Sequence, residues 1–201
     1  MDVTITAALI IKNECRCIRR CLDRICNIFE EIIIVDTGSS DGTLDIVNEC
    51  SNNKIITFQI PWVDDFSYAR NFAISKSNSK YIFFIDADEY LETDREGVIR
   101  EINEIDSRGA KTPTVYCPVI KNHDGNTSKG IGRIFRNDGE YFYAGFVHEE
   151  IRHKSNVSVT GCEVNVILLH DGYKDEFIID KNKAERNNFL NKKILKKSPA
   201  T

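Results

Sequence analysis

Residues 81–90 read Tyr81-Ile82-Phe83-Phe84-Ile85-Asp86-Ala87-Asp88-Glu89-Tyr90, five bulky apolar side chains that run straight into an acidic cluster. A short apolar run of this kind predicts a strand buried on both faces, as in a parallel sheet covered by helices. Ligands of such sheets collect at the carboxyl edge of the strands, where Asp86 and Asp88 must emerge. Two aspartates so spaced can direct oxygen atoms at one divalent cation, which can in turn hold the phosphates of a nucleotide. The spacing alone decides nothing, since the sixteen aspartates of this 201-residue chain give about one such pair by chance. The strand in front of it is what gives the pair weight.

Working outward, the composition of 41% hydrophobic and 29% charged residues with only four Pro allows a substantial core and excludes disorder. A net charge of -4 offers no overall basic face, so a nucleic-acid partner is not expected. No apolar run approaches the ~18 residues of a membrane-spanning helix. Asp2 and the short apolar run at residues 7–11 lack the basic start and length of a signal peptide, so a cytoplasmic location is expected. Seven cysteines, an odd number scattered along the chain, point to reduced thiols. Cys15, Cys17, Cys21 and Cys26 cluster, but without a C-x-x-C pair or a nearby His, which disfavours zinc. The sequons at Asn126 and Asn156 would matter only in a secreted protein.

Strands are expected over residues 3–11, 31–35, 54–60 and 81–85, separated by helical stretches to about Ile28, to about Cys50 and over 66–77. Thr93-Asp94-Arg95-Glu96 has the form of a capping box, opening a helix that carries Val98, Ile99, Ile102 and Ile105. This alternation predicts an α/β fold, a Rossmann-like and mainly parallel central sheet flanked by helices. Residues 114–169 are strand-rich, with turns expected at Asp124-Gly125, Asn137-Asp138-Gly139 and Gly161, which suits an antiparallel second half. Residues 175–197 read as a carboxy-terminal helix with an apolar face that includes Phe177, Phe189 and Leu190.

Four polar clusters fall at strand ends: Lys12-Asn13-Glu14, residues 36–43, residues 64–71 and residues 86–89. In a parallel sheet these ends share one edge, so the clusters should converge on one site. Neither G-x-G-x-x-G nor G-x-x-x-x-G-K-[ST] occurs, which leaves a metal-held diphosphate as the favoured ligand chemistry.

Taken in order, Asn13-Glu14, Asp36-Thr37-Gly38-Ser39-Ser40-Asp41-Gly42-Thr43, Asp65-Phe66-Ser67-Tyr68-Ala69-Arg70-Asn71 and Phe84-Ile85-Asp86-Ala87-Asp88-Glu89 resemble the motifs of family 2 glycosyltransferases. Val147-His148-Glu149-Glu150 is similar to the branch containing lipopolysaccharide-core β-glucosyltransferases and the peptide S-glycosyltransferases that modify bacteriocins. The resemblance covers about residues 3–173. It implies a glycosyltransferase A-type domain, with residues 1–110 as the nucleotide-sugar half, 111–173 as the acceptor half and 174–201 as a helix that packs on this domain or leads to a further helical one. It further implies a UDP-sugar donor, a peptide or glycan acceptor, Mg²⁺ or Mn²⁺, and transfer of a glucose- or N-acetylglucosamine-type hexose with inversion.

The same resemblance assigns roles. Asn13, Glu14, Asp36 and Ser39 would line the donor site, with Asp36 on the base or ribose, the lesser alternative being an Asp that simply caps the following turn. Asp65 would meet the nucleoside, and Arg70 would fork onto phosphate or else form a surface ion pair. Asp88 would contact the metal directly, Asp86 through water or by holding the ribose, and His170 would complete the metal site or be structural. Strand neighbours face opposite ways, so only one of Glu149 and Glu150 would enter the site as the base; Glu149 is the choice, with His148 orienting it. Arg133 and Arg136 would bind phosphate or acceptor, or stay in solvent. Two other classes remain open, a catalytically silent nucleotide-sugar-binding module and a nucleotidyltransferase; dimerisation through the carboxy-terminal region also remains open.

Overall fold

In the computed structural model, which describes residues 3–50, 53–145 and 149–170, the stretch at 81–84 forms β4 (Tyr81–Phe84) with every side chain buried. It lies beside β1 (Ile5–Ile11), and β1 lies beside β2 (Glu31–Asp36) and then β3 (Ile55–Gln59), all parallel. The connections are α1 (Ile18–Ile25), α2 (Thr43–Cys50) and α3 (Phe66–Lys76). Because alternate side chains leave a strand on opposite faces, β1 feeds two cores. Ile5, Ala7, Leu9 and Ile11 pack with α1, α2 and α4 (Arg95–Arg108), whereas Ala8, with Ile33, Val35, Ile82 and Phe84, packs against Ala69 and Ala73 of α3. Two covered faces explain why these strands read as continuous apolar runs rather than alternating ones.

After β4 come β5 (Glu89–Leu91), β6 (Thr114–Asn122), β7 (Thr127–Ser128), β8 (Ile134–Arg136), β9 (Tyr141–Ala144), β10 (Glu150–His153) and β11 (Thr160–His170). The main sheet runs β3-β2-β1-β4-β8-β6-β11-β5, with β7 beside β6, while β9 and β10 form a separate antiparallel pair. The antiparallel additions are β8, β7 and β5. Since β8 is antiparallel to both β4 and β6, and β6 is parallel to β11, both β6 and β11 run in the direction of β4. Their carboxyl ends, Asn122 and His170, therefore reach the same edge as Asp36 and Asp86. The β9–β10 pair covers the face on which α3 packs, through Tyr141 and Tyr143.

Two local expectations are corrected. Helix α4 is capped by Asp94, whose carboxylate accepts from Gly97 N–H at 2.8 Å, while the Thr93 hydroxyl instead accepts from Ile167 N–H at 2.8 Å. Gly161 lies inside β11, where it pairs with Val115 of β6, rather than in a turn. Among the described residues no helix is long and apolar enough to cross a membrane. His148 and the helix expected over 175–197 lie outside the described residues.

Candidate active site

The turns after β1 and β2 are stitched to each other. Asn13 adopts a left-handed φ of 56°, a conformation that Asn tolerates better than most residues. From there its N–H donates to Ser39 Oγ at 2.9 Å and its Oδ1 accepts from Ser40 N–H at 2.8 Å. Glu14 N–H donates to Thr43 Oγ1 at 2.7 Å, and Cys15 N–H to Asp41 Oδ2 at 3.1 Å. Asp36 is 2% exposed, and its carboxylate accepts from the N–H groups of Gly38 and Ser39 at 3.1 Å. It thus caps the turn after β2, the structural alternative to a nucleoside contact.

The acidic cluster after β4 is organised by register. Glu89 begins β5 and pairs with His170 at the end of β11, which brings the ring Nε2 to 3.5 Å from Asp88 Oδ2. On the other side of the ring, Nδ1 lies 3.0 Å from Asn122 Oδ1. Asn122 Oδ1 can only accept, so Nδ1 carries a proton, and the Asp88 carboxylate beside Nε2 favours a second proton there. Burial disfavours the charged imidazole, but the hydrogen bond and charge of Asp88 outweigh it and raise the His170 pKa.

Asp86 is engaged differently. Its Oδ2 accepts from Arg133 Nη2 at 2.8 Å, and its Oδ1 lies 3.6 Å from Arg70 Nη2. The same Arg133 nitrogen donates to Glu89 Oε1 at 2.9 Å, and Glu89 Oε2 accepts from Asp86 N–H at 2.9 Å. Burial works to raise the Asp86 carboxyl, yet Arg133 and Arg70 hold it well below the ordinary range. Glu89 is 2% exposed, and its burial, with the charge of Asp86 adding to it, pushes its carboxyl up to about 7 against the pull of Arg133. Glu89 received no role from the sequence, although an acid at an inward strand position always requires a partner.

Asp65 caps α3, its Oδ1 accepting from Tyr68 N–H at 3.1 Å and Ser67 Oγ at 2.7 Å. One turn further, Arg70 donates from Nε to Glu149 Oε1 at 2.7 Å, and its guanidinium lies 5.1 Å from the ring centroids of both Phe84 and Tyr143. Glu149 thereby faces Asp86 across Arg70, with its side chain 13% exposed. Glu150 turns outward at 73% side-chain exposure beside Arg152. Arg136 does not join the cluster. It pairs with Tyr81 at the amino end of β4, whereas Arg133 is level with Phe84, whose N–H donates to Arg133 O at 2.9 Å. An antiparallel strand three residues long separates the two arginines along the sheet, and Arg136 lies near Asp138 at the opposite edge.

Asp88, His170, Asp86, Arg133, Arg70 and Glu149 thus meet at one edge of the sheet. The model of the family described as Glycosyl transferase family 2 matches residues 6–149. The chain is 32% identical over 196 residues to the SPbeta prophage-derived glycosyltransferase SunS of Bacillus subtilis (strain 168), covering 98% of this chain and 46% of that protein. The chain spans about half the length of the relatives it matches. In fold it is similar to S. aureus TarS 1-349 in complex with UDP (TM-score 0.63, 14% identity, 93% of this chain and 69% of that one). It is also similar to the mannosyltransferase PcManGT from Pyrobaculum calidifontis in complex with GDP-Man and Mn2+ (TM-score 0.64, 13% identity, 100% and 66%). At such identities the likeness is one of fold, the glycosyltransferase A type.

Proposed function

Because the chain belongs to glycosyl transferase family 2, we propose that it moves a glucose- or N-acetylglucosamine-type hexose from a UDP-sugar to a peptide side chain or glycan, with inversion and with Mg²⁺ or Mn²⁺. The observation that carries this reading is the convergence of Asp88 with His170 on one side of Asp86 and of Glu149 on the other. The first pair faces where a diphosphate would lie, and the second carboxylate faces where an acceptor would attack.

The donor set fits a divalent cation. Asp88 would supply an oxygen and His170 Nε2, once deprotonated, a lone pair, with the ring oriented from behind by Asn122. Among the described residues no cluster of three or more acidic, His or Cys side chains stands ready, so substrate phosphate and water would supply the remaining ligands, as is common for Mg²⁺ and Mn²⁺. When bound, the cation neutralises charge on the departing diphosphate. Asp86 already has both oxygens turned toward arginines, which suits it to holding Arg133 and Arg70 in place beside the phosphates. Glu149 takes the proton of the acceptor hydroxyl or thiol as that atom attacks the anomeric carbon from the face opposite the leaving group. One such displacement inverts the centre, and no enzyme-bound sugar is required. Residues 1–110 then serve the donor and residues 111–173 the acceptor.

The test is a mass-spectrometric screen of UDP-sugars with Mg²⁺ or Mn²⁺ against mixed peptide and sugar acceptors, run for the wild-type chain and Asp88→Ala. Metal-dependent transfer or donor hydrolysis that disappears in Asp88→Ala supports the reading. UDP-sugar binding without turnover on any acceptor would instead identify a binding module, and pyrophosphate release from a nucleoside triphosphate a nucleotidyltransferase.

A further inference from the structure

Asn71, the neighbour of Arg70 on α3, makes contacts that the chemistry above does not use. Its Nδ2 donates to Tyr143 O at 2.8 Å, and its Oδ1 accepts from Tyr143 N–H at 2.8 Å. The side-chain amide therefore behaves as one residue of an extra strand, closing both polar groups of Tyr143 on the edge of β9 that faces away from β10. Glu150 is the first residue of β10 and pairs with Ala144, the residue after Tyr143. Whatever fixes Tyr143 thus fixes, through one ladder step, the backbone from which Glu149 projects. Arg70 then takes the Glu149 carboxylate itself at 2.7 Å while lying over the Tyr143 ring.

We propose that Asn71 is a positioning residue for the base. It clamps the β9–β10 pair to α3 through the Tyr143 backbone, so that the Glu149 carboxylate meets Arg70 beside Asp86. Two adjacent residues of α3 thereby hold this segment twice, the Asn71 side chain through the Tyr143 backbone and the Arg70 side chain through the Glu149 carboxylate. The inference rests on the assignment of Glu149 as the base. Both polar ends of the Asn71 amide are taken by the Tyr143 backbone, so on this proposal its loss acts on the chemical step and not on donor binding.

The experiment compares wild type, Asn71→Ala, Glu149→Gln and the double variant. Transfer kinetics are measured together with UDP binding by calorimetry and backbone amide exchange. Asn71→Asp, which keeps the shape and the acceptor but loses the donor to Tyr143 O, substitutes if Asn71→Ala does not fold. Expected in Asn71→Ala are UDP affinity within twofold of wild type, kcat lower by about 10- to 100-fold, as small misplacements of a reacting group produce, and faster exchange at Tyr143 N–H. In the Glu149→Gln background the same change should cost nothing further, because both lesions remove one function. An unchanged kcat, an equal loss in both backgrounds, or a loss confined to donor KM overturns the proposal. If wild type turns over no donor, the functional reading fails by itself. The clamp is then decided by exchange alone, and unchanged protection of Tyr143 and β10 in Asn71→Ala refutes it.

Discussion

Replacing Arg133 by Met keeps the length of the side chain and removes the charge that neutralises two acids. The Arg133 side chain is 10% exposed and that of Glu89 3%, so their ion pair lies where water cannot take over. Removing one partner of a buried pair costs about 3–5 kcal/mol, because the other is left buried and uncompensated. The Asp86 contact adds less, since Asp86 keeps 39% side-chain exposure and Arg70 stays 3.6 Å away. In a chain of this size about 2–4 °C of melting temperature accompanies each kcal/mol, so Arg133→Met should melt about 6–20 °C below wild type. Urea unfolding followed by the fluorescence of Trp62, the only tryptophan, measures the loss directly. Glu89→Gln retains an oxygen for Asp86 N–H, so adding it to Arg133→Met should recover most of the stability. A single variant within about 1 kcal/mol of wild type, or a double variant as unstable as the single, would refute the view that this triad is a buried, mutually compensating unit.

Mn²⁺ should raise the melting temperature of the wild-type chain in a concentration-dependent way, and both Asp88→Ala and His170→Ala should abolish the shift; a persisting shift in both places the cation elsewhere. Gly132→Ala should destabilise by about 1–3 kcal/mol in urea unfolding, because a Cβ there would lie 2.7 Å from Cγ2 of Val115 in β6. The Asp41 carboxyl is held down at about 2: burial opposes this, and hydrogen bonds from Thr43 and Cys15 outweigh it. A depressed carboxylate stabilises fully above its unfolded pKa of about 4 and loses that stabilisation as pH falls toward 2. The stability difference between wild type and Asp41→Asn, measured across that range, should therefore be constant near neutrality and vanish at the acid end.

The first half of the chain was legible because its strands are local objects. Expected strands at 54–60 and 81–85 and a helix at 66–77 correspond to Ile55–Gln59, Tyr81–Phe84 and Phe66–Lys76, the strands closed by Pro61 and by the polar cluster at 86–89 and the helix opened by the Asp65 cap. What escaped depends on partners distant in the chain. Thr93 looked like a cap until Ile167, 74 residues away, claimed its hydroxyl. Nothing local shows that β6 and β11 run parallel to each other, the arrangement that sets Asn122 behind His170. Glu89 and Arg133 are 44 residues apart and neutralise each other only once β8 lies against β4. Arg133 and Arg136 are equivalent as letters; three residues along a strand send them to opposite ends of the sheet. Asn71 sat in plain view in the Asp65-to-Asn71 motif, but its partner is backbone, which no side-chain pattern reveals.

The most direct test of the account sets Glu149→Gln beside Glu150→Gln in a transfer assay with saturating UDP-sugar and Mn²⁺, with UDP binding measured on the same samples. The inward carboxylate beside Arg70 predicts that Glu149→Gln binds UDP as wild type does and fails to transfer, while Glu150→Gln transfers normally. Full transfer by Glu149→Gln with loss of transfer in Glu150→Gln would contradict it.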